Sequence, residues 1–285
     1  MAEKKGKKDP GSPQIIKVSS WLELQQALYH DAWAPVLNRY RSSYVYRGLE
    51  NKDYDLSTSL NRLGESHLER HLLRNFQKYS QLDDFKGASI WNWLALAQHH
   101  GLPTRLLDWT YSPYVALHFA TSDFTQFDKD GCIWAVNYVD SISYLPDQLK
   151  KIIAEEGSHI FTANMLDRAT KSIRTLQGFK RDDFAIFLEP PSIDQRIVNQ
   201  YALFSMMSNP DRLLNDWIEG KRIKSFKILI PAELKWEIRD KLDQSNINER
   251  VLFPGLDGLA TWLKRHYRDQ RENKKAPIKP RYDLD

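Results

Sequence analysis

Residues 98–110 read Gln-His-His-Gly-Leu-Pro-Thr-Arg-Leu-Leu-Asp-Trp-Thr, and the interpretation of the whole chain depends on this segment. It combines two histidines, an arginine, an aspartate and a tryptophan within thirteen residues. Apolar residues at helical spacing over 89–100 predict a helix that stops at Gly101, and Ser112-Pro113 predicts the start of another. We therefore expect residues 101–111 to form a polar loop held between two helices, which is a common position for a functional site.

The second informative segment is Ser43-Tyr-Val-Tyr-Arg-Gly48, whose aromatic and β-branched residues predict a strand ending at Arg47-Gly48. An arginine at a strand end can present its planar guanidinium to a phosphate or carboxylate. A glycine beside it lets a ligand approach the backbone. The alternative for Arg47 is an ordinary surface salt bridge, and the alternative for the loop is a structural network. In that network Asp108 pairs with Arg105, while Gln98 and Thr104 cap backbone groups.

The rest of the chain mixes helices and strands without a regular alternation. Apolar runs predict strands at 131–138, 183–188 and 225–230, and 195–204 is read as a strand or a strand-like turn. Helical patterns are predicted at about 21–34, 65–82, 112–120, 146–156, 161–176, 210–218, 231–243 and 256–267. This composition favours an α+β fold, with a small sheet flanked by several helices in a single mixed domain.

The net charge of +4 over 285 residues is concentrated near the two ends. Residues 1–14 hold four lysines and two acidic residues, and residues 264–285 hold eight basic and four acidic residues. The remainder has 29 basic and 31 acidic residues. We therefore expect a disordered basic tail at 1–14, a domain over 15–267 and a flexible charged tail at 268–285. Weak, salt-dependent nucleic-acid contact is expected from the tails rather than from the domain.

Cellular location is indicated by what the sequence lacks. Cys132 is the only cysteine and sits in an apolar run, so it is expected to be a buried, inert thiol in a reducing compartment. No apolar run reaches 18 residues, and the charged N-terminus has no apolar stretch after it. The sequence predicts a cytoplasmic protein without a membrane partner.

Several motifs together resemble the FRG domain, a largely uncharacterised bacterial and viral family named for an aromatic-Arg-Gly motif. They are Tyr46-Arg47-Gly48, Leu56–Leu60 followed by Arg62, the 98–110 segment with Ser112-Pro113, and Ala116-Leu117 leading to Phe119-Ala120. The resemblance is close over about 21–122, and looser through 195–204 to 253–258. It supplies motifs more than a function.

Parts of the chain are also similar to ADP-ribosyltransferases, which hold NAD with an Arg-Gly or His-Gly pair, a Ser-Thr-Ser segment and a late strand bearing Glu or Gln. Arg47-Gly48, Ser57–Ser59 and Gln200 match these elements in order. The serine segment follows Arg47 by only ten residues, so residues 104–108 would have to replace it. The usual glutamate is absent.

This resemblance implies a pocket for a nucleotide-like ligand, with NAD as substrate and a protein or nucleic acid as acceptor. The carboxylate that would stabilise the oxocarbenium-like charge is assigned to Asp108. Such an activity would suit a toxin or a phage-defence effector. The candidate catalytic residues are Arg47, His100, Asp108 and Gln200, and the candidate substrate-binding residues are Tyr46, Gly48, Gln98, His99, Thr104, Arg105 and Trp109.

Two other functions stay open at this point. One is a non-catalytic module that binds a nucleotide, a peptide or a nucleic acid. The other is a metal-dependent hydrolase or nuclease using His99, His100 and Asp108. His67 and His71 are spaced as a possible metal pair, but no third ligand is evident and no metal is expected. Phosphate-binding loops, dinucleotide fingerprints and esterase motifs are absent.

Overall fold

The computed structural model describes residues 11–82, 85–192 and 194–268. Its centre is an eight-stranded mixed sheet, in the order β1-β10-β6-β4-β5-β9-β8-β7, and β2 and β3 form a separate two-stranded ribbon. The strands are β1 (Gln14–Lys17), β2 (Trp33–Ala34), β3 (Arg39–Tyr40), β4 (Tyr44–Leu49), β5 (Leu106–Thr110), β6 (Gly131–Asn137), β7 (Phe161–Thr162), β8 (Ala185–Glu189), β9 (Ala202–Met207) and β10 (Ser225–Ile230).

The helices cover both faces of this sheet. They are α1 (Trp21–Leu28), α2 (Ser59–Leu63), α3 (Glu69–Tyr79), α4 (Ile90–His99), α5 (Pro113–Phe119), α6 (Asp147–Glu155), α7 (Ala163–Ala169), α8 (Ile173–Gln177), α9 (Gln195–Asn199), α10 (Leu214–Lys221), α11 (Lys235–Gln244), α12 (Glu249–Leu252) and α13 (Leu256–His266). Most begin at a Ser, Thr, Asp or Asn whose side chain accepts from the first turn, as Ser89 does for α4 and Ser112 for α5.

Strand pairing is uneven at the middle of the sheet. β4 pairs with β6 over six residue pairs, and β5 pairs with β9 over five. Between β4 and β5 the register contains one pair, Tyr46 with Thr110. The sheet therefore consists of two well-paired halves, β1-β10-β6-β4 and β5-β9-β8-β7, which separate beyond this pair.

The apolar core follows the same division. On one face, the half containing β5 packs with α3, α4, α6 and α7, and the half containing β4 packs with α1, α5 and α11. On the other face, a single cluster joins both halves, with Val45, Trp134, Trp109 and Phe187 among its members, and α10 covers it. The first face is thus split into two helical layers, whereas the second is continuous.

The predicted small sheet is wrong, because the sheet has eight strands. Three of them, β1, β5 and β7, fall where no strand was predicted. Residues 106–110 are β5 instead of part of a polar loop, and Gln14, assigned to the N-terminal tail, begins β1. In β5 the buried residues flank one exposed aspartate, so the polar chemistry of the segment concealed its strand pattern.

Other predicted elements need smaller changes. Residues 195–204 divide into helix α9 and the start of β9, and the helix predicted at 161–176 is the short strand β7 followed by two helices. The strands predicted near 43–48, 131–138 and 225–230 are confirmed. Residues 1–10 and 269–285, most of the two predicted tails, lie outside the described residues.

Within the described ranges, none of the helices combines the length and the apolar character needed to cross a membrane.

Candidate functional site

A cleft of about 540 Å³ opens where β4 and β5 separate. This volume is within the range of small-molecule sites. The end of β4, the C-terminal end of α4, β5 and the α9–β9 segment supply its walls. Its lining comprises Tyr46, Arg47, Gly48, Leu49, Glu50, Gln98, His99, His100, Gly101, Asp108, Trp109, Thr110, Phe119, Arg196, Ile197, Gln200, Ala202 and Phe204. Nine of the eleven predicted site residues are therefore brought together, and Thr104 and Arg105 are not.

Arg47 bridges the gap between the two strands. Its Nη1 donates a 2.7 Å hydrogen bond to the main-chain carbonyl of Asp108 and lies 3.9 Å from Oδ2 of the Asp108 carboxylate. Its Nε is buried, and no partner for it exists in the part of the chain that the structure describes. Burial lowers the pKa of this guanidinium, and the negative charge of nearby Asp108 offsets part of that lowering. A largely buried cation with an unused N–H is suited to bind an anionic group such as phosphate.

A chain of hydrogen bonds fixes the Asp108 carboxylate. The Leu106 main-chain N–H donates to Thr104 Oγ1 at 3.1 Å, and the Thr104 hydroxyl donates to Gln98 Oε1 at 2.6 Å. Gln98 Nε2 then donates to Asp108 Oδ2 at 2.9 Å. This chain sets the orientation of the Gln98 amide and leaves the Asp108 side chain 57% exposed. Thr104 supports the site from behind, and only its predicted capping role is confirmed.

The two histidines at the end of α4 have different environments. The His99 side chain is 10% exposed, and its Nε2 is 3.4 Å from Oδ2 of Asp194. Burial lowers the pKa of His99, and Asp194 partly opposes this. His100 is exposed, and the two rings meet edge to face. His99 is therefore held neutral near pH 7 and can accept a proton inside the cleft.

Gly48 lies in the cleft lining, and the structure shows a packing reason for the absence of a side chain there. A Cβ at this position would lie 1.8 Å from the main-chain oxygen of Ala116 and 2.5 Å from the nitrogen of Ala120. Helix α5 therefore occupies the space that a side chain would need. Gly48 allows close packing of strand and helix, which positions Phe119 at the end of α5 beside the cleft.

The two aromatic residues among the candidate substrate-binding residues are buried. Tyr46 is 1% exposed, and its hydroxyl is 3.1 Å from the hydroxyl of Ser42. Trp109 is 3% exposed, and its indole N–H donates to Ser205 Oγ at 2.8 Å. Because side chains alternate along β5, Trp109 points into the continuous core cluster while Asp108 points into the cleft.

Arg105 belongs to a buried ion pair and not to the cleft. Its Nε donates to both carboxylate oxygens of Glu69, at 2.9 and 2.8 Å, and its Nη1 donates to the Ser208 carbonyl at 2.9 Å. Both side chains of the pair are at most 4% exposed. The predicted pairing of Arg105 with Asp108 is therefore wrong, since the partner is a glutamate 36 residues earlier in the chain.

Gln200 and the serine segment have structural contacts of their own. Gln200 follows α9; its Nε2 donates to the Leu252 carbonyl at 3.0 Å, and its own carbonyl accepts from the Thr110 hydroxyl at 2.7 Å. Thr58 caps α2 in a reciprocal capping box, and the Ser59 hydroxyl accepts from the Thr104 main-chain N–H at 3.2 Å. Ser57–Ser59 therefore lie outside the cleft lining and brace the loop behind it.

Nine lining residues were not among the candidates, and three of them bear a charged or a partly exposed aromatic side chain. Glu50 accepts a 3.1 Å hydrogen bond from Ser122, and Phe119 is a partly exposed aromatic. The Arg196 guanidinium lies over the Phe253 ring at 4.7 Å. Glu50 is two residues beyond Arg47-Gly48, and Arg196 belongs to the looser part of the family resemblance. Proximity to these motifs was the available signal.

His99, His100 and Asp108 do not form a metal-sized cluster, and neither do His67 and His71. Across the described residues, no three side chains from His, Cys, Asp and Glu lie close enough to share an ion. The metal-dependent hydrolase therefore has no ligand set in this part of the chain.

A family model described as the FRG domain matches residues 42–129. This range covers β4, α4, β5 and α5, and includes Arg47, Gln98 and Asp108. The chain therefore contains an FRG domain. Searches of curated proteins and of solved structures found no match.

Proposed function

Starting from the FRG domain at residues 42–129, we propose that the cleft between β4 and β5 binds a nucleotide-like ligand and transfers ADP-ribose from NAD. Arg47 carries this proposal. Its side chain is 20% exposed and lines the cleft, and its closest hydrogen-bond acceptor is a main-chain carbonyl instead of a carboxylate. Its charge is therefore available to a pyrophosphate group.

The remaining lining supports a ligand with both charged and planar parts. Arg196 supplies a second cation to the cleft, and Asp108 and Glu50 supply two carboxylates. Phe119, partly exposed at the end of α5, replaces the buried Tyr46 and Trp109 as the surface on which a flat ring could stack. Hydroxyl groups of a ribose would find acceptors in the two carboxylates.

In the proposed reaction, the bond between the ribose and nicotinamide breaks and its electron pair leaves with nicotinamide. Positive charge then develops on the ribose, and the Asp108 carboxylate, oriented by Gln98, stabilises it. An acceptor with a hydroxyl, amine or amide attacks the same carbon. His99, held neutral by burial, takes the proton that the acceptor loses. The products are nicotinamide and the ADP-ribosylated acceptor.

The identity of the acceptor and the biological role rest on the family resemblance. A protein or a nucleic acid is proposed as acceptor, and a toxin or a phage-defence effector as the biological role. Both follow from the proposed activity, so the activity is the first part to test.

The test measures NAD binding by calorimetry and nicotinamide release by chromatography, using the whole chain with cell-extract proteins and RNA as acceptors. We expect binding and release with the native chain, strong loss of both in Arg47→Ala, and partial recovery in Arg47→Lys. Arg168→Ala, which removes a surface arginine from α7, is the matched control and should behave as the native chain. Absence of NAD binding at millimolar concentration would reject the proposal. Binding without release would leave the non-catalytic binding module.

A further inference from the structure

A second groove, of about 380 Å³, lies apart from the cleft, between α3 and the segment that enters α8. Four permanent cations line it: Arg70 and Arg74 on α3, with Lys171 and Arg174 on the opposite wall. His67, His71, Gln77 and Ser172 are the other polar residues of the lining, and the lining includes no carboxylate. The groove continues into a hollow of about 240 Å³ that shares His67, Arg70 and Arg174.

The positive charge of this groove is only partly compensated. Among the described residues, no hydrogen-bond or ion-pair partner exists for Arg70 or Arg174. Arg74 Nη2 lies 3.3 Å from Nδ1 of His71, and Lys171, which follows α7, pairs with Asp167 in that helix. The one carboxylate that borders the hollow, Glu69, is buried and fully engaged by Arg105. Exposed cations without counter-charges attract anions.

The arrangement of the cations fits a chain of phosphates better than a single one. Arg70 and Arg74 are one helical turn apart, about 6 Å along α3 at a rise of about 1.5 Å per residue. Lys171 and Arg174 face them across the trough, so the positive charge follows both walls. A membrane surface would meet a concave trough poorly. A single phosphate site would hold converging buried donors, whereas these four cations are spread along exposed walls.

We propose that this groove, lined by Arg70, Arg74, Lys171 and Arg174, binds the phosphate backbone of a nucleic-acid strand without reading its sequence. Arginine and lysine contact phosphates and release counterions, which supplies affinity that carries no base information. Residues 15–263, which include the groove, have a slightly negative total charge. This total conceals the local excess of positive charge in the groove. The proposal is independent of NAD chemistry in the cleft.

The test uses fluorescence anisotropy of a labelled random 20-nucleotide single strand, with the full chain, between 50 and 200 mM NaCl. Arg70→Ala with Arg174→Ala removes two cations that make no hydrogen bond or ion pair with the described residues. We expect about tenfold weaker binding, and a slope of log K against log[salt] that is shallower by about 1.4, since each lost phosphate contact contributes about 0.7. Arg70→Lys with Arg174→Lys should restore most of both.

Lys129→Ala with Lys151→Ala is the matched control, because it removes the same charge from two exposed lysines outside the groove. All variants keep the terminal residues, so binding by the tails is common to them and cancels in the comparison. Equal affinity and equal salt slope in the groove variant and this control would overturn the proposal. So would displacement of the strand by inorganic pyrophosphate at matched ionic strength, or tighter binding to phosphatidylserine vesicles than to the strand.

Discussion

Arg47 Nη1 donates a 2.7 Å hydrogen bond to the Asp108 main-chain carbonyl, across the place where β4 and β5 stop pairing. A side chain here replaces the backbone ladder that would continue from the Tyr46–Thr110 pair. The same guanidinium therefore joins the two strands and also lines the cleft. Arg47 therefore has both a structural role and a candidate binding role. The variants below concern neighbouring residues for which only one of these two roles is expected.

The first prediction concerns the two carboxylates of the cleft. If Asp108 stabilises positive charge on the ribose, Asp108→Asn should lower kcat for nicotinamide release by about 100- to 1000-fold, as loss of one electrostatic stabiliser usually does. KM should change little, since Gln98 can still bond the asparagine oxygen. Glu50→Gln is the comparison, and we expect a much smaller effect on kcat. The reverse order of the two variants would assign this role to Glu50.

The second prediction tests why residue 48 is glycine. Gly48→Ala places a methyl group against the backbone of α5, and we expect the free energy of unfolding to fall by about 3 kcal/mol or more. Urea denaturation measures this directly. Gly220→Ala is the control: this glycine lies within α10 with no atom near its would-be Cβ, so alanine should stabilise by about 0.4–1 kcal/mol. Similar effects at both positions would contradict the packing explanation.

The third prediction separates Arg105 from ligand binding. Arg105→Met leaves the buried Glu69 carboxylate without a cation, bonded only to the main-chain N–H of residue 105, and should cost about 3–5 kcal/mol of unfolding free energy. Arg168→Ala, which breaks a half-exposed surface pair, should cost less than about 1 kcal/mol. Adding Glu69→Met to Arg105→Met should recover much of the loss. In the double variant the affinity for NAD should be unchanged, and a large fall would return Arg105 to the binding site.

The fourth prediction is a dependence of stability on pH. His118 is fully buried; burial and nearby Arg239 lower its pKa to about 3 from an ordinary value near 6.5. In the unfolded chain His118 therefore binds a proton as the pH falls through about 6.5, whereas in the folded chain it stays neutral until much lower pH. Stability is complete above pH 6.5 and should fall by up to about 1.4 kcal/mol per pH unit as the pH drops towards 3.

Urea denaturation between pH 7 and 5 measures this slope, since carboxylates titrate mostly below that window. His118→Asn should flatten the slope, although it lowers stability at pH 7. His99, whose pKa burial also lowers, contributes in the same direction, and His99→Asn measures its share. A native slope retained in His118→Asn would show that other groups cause it.

The sequence allowed the outer features of the site to be predicted, because they depend on local patterns. The strand ending at Arg47-Gly48, the cap at Ser112 and the end of α4 near Gly101 each follow from a few adjacent residues. These features brought Arg47, Gln98, His99 and Asp108 to one cleft, as expected.

What could not be predicted depends on contacts between distant segments. The Arg105–Glu69 pair joins residues 36 positions apart, and the space beside Gly48 is filled by a helix that begins 65 residues later. The strand β5 was missed because its central aspartate faces the cleft between buried neighbours. In each case the same short motif is compatible with a structural role and with a binding role. The two roles can be distinguished only by the residues that contact the motif in the folded chain.

The single pair between β4 and β5 has a mechanical meaning. Each half of the sheet has its own helical layer on the cleft side. The two halves are joined by one backbone pair, by the Arg47 side chain and by the core cluster on the opposite face. A molecule in the cleft touches both halves at once. Its binding free energy therefore adds to the work required to separate the two halves of the sheet.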